Sequence, residues 1–230
     1  MAINIENYKA ITAALAGKAT LVAVSKTKPV EDILALYQTG QRDFGENYVQ
    51  ELVDKQLQLP KDIRWHFIGH LQSNKVKYIA PFVHLIHGVD SIKLLQEINK
   101  QAHKLNKTSD VLLQVHIAQE ETKFGFDENE LEAVFNPASP ALPALKNICI
   151  KGLMGMASFT EDKDTVKKEF QQLKSLFDKY SLLPQGTNPS NIQFQFISMG
   201  MSGDYAMAVE CGSNMVRIGS LLFGAREYQQ

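Results

Sequence analysis

The chain predicts an α/β protein, a single (β/α)8 TIM-like barrel of parallel strands spanning residues 1–230 as one domain. Three observations carry this expectation. About eight short apolar runs are spaced along 230 residues, amphipathic stretches separate most of them, and the punctuation between them is glycine, proline and polar turns. Strand–helix alternation argues for parallel βα units, and eight such units in this length make a compact barrel. An open doubly wound sheet is the rival. It is weakened because no G-x-G-x-x-G follows the first strand.

The first run is LVAVS, 21–25, ending at Lys26. Pro29 then opens a helix-like stretch, VEDILALYQTG, that stops at Gly40, with proline and glycine in the positions that start and end helices. QRDFG, 41–45, is the second strand candidate and precedes ENYVQELVDKQLQL. IRWHFIG, 63–69, and LQSNKVKYIA come next, then LIHGV, 85–89, and SIKLLQEINKQAHKLN, whose apolar residues recur at helical spacing. VLLQVHIA, 111–118, precedes FDENELEAVF, whose early carboxylates suit a helix N-terminus. ICIKGLMGMA, 148–157, precedes the surface helix EDKDTVKKEFQQLKSLFDKYS. FQFISMG, 194–200, the short stretch SGDYAMAVECG, and MVRIGSLLFG, 215–224, complete the pattern. KTSD and the proline-rich NPASPALPALKN are connections, too short to be domain linkers.

Bulk properties exclude several classes. The net charge of −1 gives no basic footprint for nucleic acid. No run of about 18 apolar residues exists to span a membrane, and the first residues lack the basic and apolar regions of a secretory leader. Cys149 and Cys211 have no metal spacing and read as ordinary thiols of a reducing compartment, so a cytoplasmic location is expected. No metal motif, P-loop or G-x-S-x-G elbow is present, and no metal is expected.

The chemistry is expected at the carboxyl ends of the strands, where barrels carry their sites. Lys26 leaves the first strand toward that mouth. Partial desolvation there disfavours the ammonium form, and a neutral amine is what attacks an aldehyde to make an imine. The plainer alternative is a lysine that snorkels into water. Lys28, beside Pro29, is not expected to face the mouth. Ser198, Gly200, Ser202 and the neighbouring Gly203 and Asp204 combine glycines, hydroxyls and a helix start, and Arg217, Gly219 and Ser220 form a second small turn. Glycines let amides approach an anion, and barrels often hold phosphate after strands seven and eight. Ordinary turns and caps use the same residue types. Asn47 reads equally as a helix cap or a ligand contact. His66 reads as a core histidine, and the roles of His66 and His70 stay open. Met154 and Met156 read as packing.

Taken together, SKTKP around Lys26, FGENYVQE, WHFIGHLQSNK, GLMGMA, SMGMSGD and VRIGSLLFG resemble the YggS/PROSC family of pyridoxal phosphate homeostasis proteins, in the same order from about residue 20 to 227. The resemblance implies a barrel like the N-terminal domain of alanine racemase. It implies pyridoxal 5′-phosphate as cofactor, held as a Schiff base on Lys26. It places Ser198, Gly200, Ser202, Gly219 and Ser220 at the phosphate, Arg217 opposite the pyridine nitrogen, and Asn47 and Met154 in motifs lining the cofactor. A cation beside that nitrogen disfavours ring protonation and makes the ring a poorer electron sink. Arg217 in a structural salt bridge is the alternative. The implied function is a carrier or buffer of the cofactor, with apo-enzymes as possible recipients and no catalytic residue assigned. A racemase-like enzyme is the alternative, disfavoured because the chain as given stops at Gln230 with no β-rich extension to supply a second base. A monomer is expected for the same reason.

Overall fold

The computed structural model describes residues 3–120, 124–136, 142, 144–182 and 191–224. The strands are β1 (Thr20–Val24), β2 (Asp43–Glu46), β3 (Arg64–Phe67), β4 (Leu85–Val89), β5 (Ser109–Val115), β6 (Ile148–Gly155), β7 (Ile192–Ser198) and β8 (Met215–Ile218). Each pairs in parallel with the next, and β8 returns to β1, with Leu21 opposite Val216 and Val22 opposite Arg217, so the sheet closes into a barrel in sequence order. The expected fold class is the observed one.

The helices are α1 (Ile5–Leu15), α2 (Val30–Gln38), α3 (Val49–Gln58), α4 (Val76–Ile79), α5 (Ile92–Lys104), α6 (Glu128–Phe135), α7 (Lys163–Ser181), α8 (Tyr205–Glu210) and α9 (Ser220–Phe223). Their starts follow local chemistry. Asp127 and Glu130 make a reciprocal capping box for α6, and the Ser91 and Asp162 side chains accept amide protons at the starts of α5 and α7. Two elements differ from the sequence reading. Residues 5–15, considered there only as a possible leader, form α1, tied to the last helix by Asn4 N–H to the Leu222 carbonyl at 2.8 Å. The run 215–224 is not one strand: it breaks at Gly219, and its second half is α9. The proline-rich stretch near 137–143 lies mostly outside the described residues.

Side-chain alternation divides the interior into two apolar regions. Leu21 and Ala23, Trp65 and Phe67, Val111 and Leu113, Leu153 and Val216 face outward into the large core between sheet and helices. Their neighbours Val22, Leu85, Leu112, Met154 and Met215 form a separate small cluster inside the barrel. A period of two must send adjacent residues to opposite faces. Counting on from the inner cluster, Val24, His87, Met156, Ser198 and Arg217 also belong to the inside, one layer nearer the mouth.

Candidate functional site

Lys26 stands two residues beyond β1, in a turn that is strained and pinned. The next residue, Thr27, has φ 63°, a left-handed conformation that costs a residue of its type of the order of 1–3 kcal/mol. Its N–H donates to Glu51 Oε1 at 2.6 Å, Ser25 Oγ donates to Glu46 Oε1 at 2.6 Å, and Lys55 Nζ donates to the Ser25 carbonyl at 2.8 Å. Lys55 also pairs with Glu46 at 2.7 Å and Glu51 at 2.6 Å, and the side chains of Lys55 and Glu46 are almost wholly buried. Burial pushes the Glu46 carboxyl up to about 7, against the pull of the Lys55 ammonium and the Ser25 hydroxyl. The turn that carries Lys26 is therefore bolted to β2 and α3 through one buried ion-pair cluster.

Across the mouth, Gly200 has φ 95°, and a side chain there would come within 2.6 Å of Ala208 Cβ, so glycine is what lets α8 sit against the end of β7. The Arg217 N–H donates to the Gly200 carbonyl at 3.0 Å, and the Gly219 N–H reaches Ser202 Oγ at 3.4 Å, which ties the two turns together. At Gly219 an added Cβ would lie 3.1 Å from the Val24 carbonyl.

A cavity of about 380 Å³ opens at this end, lined on its polar side by Lys26, Lys28, Asn47, Ser202, Arg217 and Ser220. The glycines Gly203 and Gly219 complete that side, and Val24, Ile68, Met156 and Phe159 make an apolar wall. Among the described lining residues the charged ones are all cations, a field suited to an anion. Lys28 reaches the cavity, contrary to expectation. Asn47 Oδ1 is buried with no hydrogen-bond partner among the described residues, an acceptor that a ligand would satisfy.

Three of the expected residues sit one layer deeper. Met154 is fully buried in the inner cluster, and Met156, two residues on along the same face, meets the cavity, as does Met201. Ser198 is fully buried beneath Arg217, bonded to it rather than lining the opening. Gly200 shapes the turn from behind. The helix starts invoked for phosphate belong to short helices, six residues in α8 and four in α9, so individual N–H and O–H donors carry that role and not a macrodipole.

Arg217 is 4% exposed and donates to the Ser198 carbonyl at 2.8 Å, Ser198 Oγ at 2.7 Å and the Gly155 carbonyl at 3.1 Å. Burial pulls its guanidinium down to about 10, still cationic at neutral pH. Among the described residues it makes no salt bridge, and the Asp204 carboxylate favours its charge from a distance. His70 stacks on Phe124 at 4.3 Å and bonds Asp90 at 3.0 Å, away from the cavity lining. Glu46, Lys55 and Glu51 were missed because their value lies in contacts across elements. Met156 and Ile68 were recoverable from strand alternation alone.

The chain matches the family described as the alanine racemase N-terminal domain over residues 4–227. It is also 42% identical to the pyridoxal phosphate homeostasis protein of Pasteurella multocida over 216 residues, covering 91% of this chain and 88% of that one. The chain belongs to the pyridoxal phosphate homeostasis protein family. Within that family, a solved structure of PipY from Synechococcus elongatus with PLP bound superposes with a TM-score of 0.84 at 32% identity, over 95% of this chain and 99% of that one. Beyond the homeostasis proteins, alanine racemase from Bartonella henselae shares the barrel alone, with a TM-score of 0.69 at 17% identity over 96% of this chain and 59% of the racemase.

Proposed function

We propose that this chain binds pyridoxal 5′-phosphate at the barrel mouth, tethers it through Lys26, and carries or buffers it for apo-enzymes without turning over a substrate. The carrying observation is that Lys26, Arg217, Ser202 and Ser220, from opposite ends of the sequence, line one cationic cavity. The residues present fit the group. The lysine amine suits an aldehyde, hydroxyls and glycine amides suit a phosphate, and Asn47 offers an unspent acceptor. Among relatives, PipY with PLP bound supports the same reading.

When bound, the cofactor supplies an aldehyde and a conjugated ring. Everything else falls to the chain. Lys26 supplies the amine for the tether, held in place by the Glu46–Lys55–Glu51 cluster. Ser202, Gly203, Gly219 and Ser220 donate to the phosphate, with Gly200 and Ser198 shaping and supporting that rim from below. Arg217 holds a fixed positive charge toward the ring nitrogen and keeps protons from it. Met156 and Ile68 exclude water, with Met154 packed under them. Two-sided proton transfer, as a racemase needs, requires a second acid–base group. Among the described lining residues no carboxylate, histidine or tyrosine offers one.

The purified protein with added cofactor should be yellow, and borohydride should fix the label on the peptide containing Lys26. Lys26→Ala should lose the fixed label while keeping weaker, phosphate-driven binding. A colourless wild type that takes up no cofactor sinks the proposal. Rapid exchange of amino-acid enantiomers, at about 1 per second or faster, would make the protein an enzyme and overturn the carrier reading.

A further inference from the structure

A chain of side-chain hydrogen bonds crosses the barrel interior beneath the mouth. From Arg217 NH1 it runs to Ser198 Oγ at 2.7 Å, from Ser198 Oγ to His87 Nδ1 at 3.1 Å, from His87 Nε2 to His66 Nδ1 at 2.9 Å, and from His66 Nε2 to Asp43 Oδ1 at 3.0 Å. Arg64 closes the far end on the same carboxylate. Arg217, Ser198, His87 and His66 are 4% exposed or less, and Asp43 is 8% exposed.

With both rings neutral, each link has one direction. Asp43 only accepts, so His66 donates to it through Nε2–H and the links run back from there; a guanidinium only donates, so Ser198 Oγ accepts from Arg217 and gives its own proton to His87 Nδ1. His87 is then neutral with its proton on Nε2, and donates to His66 Nδ1. His66 in turn carries its proton on Nε2 and donates to Asp43, an acceptor held ionised by Arg64. Burial, reinforced by the charge of Arg217, keeps His87 well below its ordinary range and so neutral. Because Arg217 does not release a proton, the chain conducts none. Its consequence is orientational: a row of directed hydrogen bonds runs from Asp43, at the opposite end of the barrel, to a buried guanidinium whose charge Asp204 favours.

We infer that His87 and His66, each fixed in the Nε2–H tautomer, are positioning residues that lock the Arg217 guanidinium in the orientation it presents to the cofactor. The inference rests on the function proposed above, and its test separates the two. In cofactor-free protein labelled with 15N-histidine, long-range nitrogen–proton correlation should show the His87 ring neutral and Nε2-protonated from about pH 5.5 to 8. A His87 ring that titrates in that window, or holds its proton on Nδ1, overturns the inference whatever the protein binds. In cofactor-loaded protein, His87→Phe should move the pH midpoint of the bound cofactor's absorbance upward by about one unit, because a displaced cation opposes protonation less. His87→Asn, whose amide carbonyl can take the Ser198 proton, should restore most of the wild-type midpoint. A folded His87→Phe protein with an unchanged midpoint overturns the inference while leaving cofactor binding standing. Should that variant not fold, the tautomer measurement on the wild type decides alone.

Discussion

Glu46 shows how much a single side chain can do for a site it never touches. Its carboxylate takes the Ser25 hydroxyl and the Lys55 ammonium, and both hold the turn that presents Lys26. Removing it leaves Lys55 buried with part of its partnership gone, and an uncompensated buried charge is expensive. Glu46→Ala should cost about 3 kcal/mol, the lower end for breaking a buried pair because Glu51 remains. Urea unfolding measures that cost. The same variant should also weaken cofactor uptake, since Ser25, at the start of the turn, loses the partner of its hydroxyl. Uptake at wild-type affinity would show that the turn holds its shape without the cluster. Nothing in FGENYVQE distinguishes Glu46 from a surface carboxylate, because its partners lie on other elements. Lys26 itself was legible, since a β-branched run ending in lysine puts an amine at a barrel mouth.

At the scale of elements, β6 is the informative one. Gly152 has φ 143°, and a Cβ there would lie 1.9 Å from the Phe196 carbonyl oxygen, so only glycine passes. The registers with β5 and β7 both slip here: Ile150 faces Val111 while Gly152 faces Leu112, leaving Lys151 as the extra residue. That bulge sets which β6 side chains face the barrel axis. Gly152→Ala should destabilise the fold by more than about 3 kcal/mol, through clash and strain together. Thermal unfolding reads the effect, and a loss under about 1 kcal/mol would mean the strand relaxes around it. The run ICIKGLMGMA announces a strand but not the slip, and the family resemblance pointed to Met154, whereas Met156, one step nearer the mouth on the same face, lines the cavity. Likewise His87 in LIHGV looked like ordinary interior, and only the closed barrel brings β4 against β7.

The whole molecule carries a pH dependence that its composition does not announce. Burial alone would raise the Asp43 carboxyl, but hydrogen bonds from His66 and Arg64 and the charge of Arg64 outweigh it and bring it down to about 2, from an ordinary 3.8. A carboxylate lowered on folding contributes stability that is present above its unfolded value and lost as pH falls through its folded one. Between about pH 4 and pH 2 the fold should lose about 2 kcal/mol from this group. Asp43→Asn should flatten that part of the urea-midpoint profile, and an unchanged acid limb would move the effect to other carboxylates. At this scale the sequence was most legible: the eight-fold alternation announced the barrel, and the strand-end glycines and hydroxyls announced the turns that line its cavity.

Closure of β8 onto β1 also orders events in time. Lys26 precedes Arg217 by 191 positions in the chain. At the pace of translation, roughly 5–20 residues per second, the lysine leaves the ribosome some tens of seconds before the arginine that completes its pocket. Until the last strand seats, there is an amine but no grip for a phosphate. Capture of the cofactor is therefore a late event that reports a finished barrel, and free cofactor in the surroundings favours the finished barrel over every incomplete one.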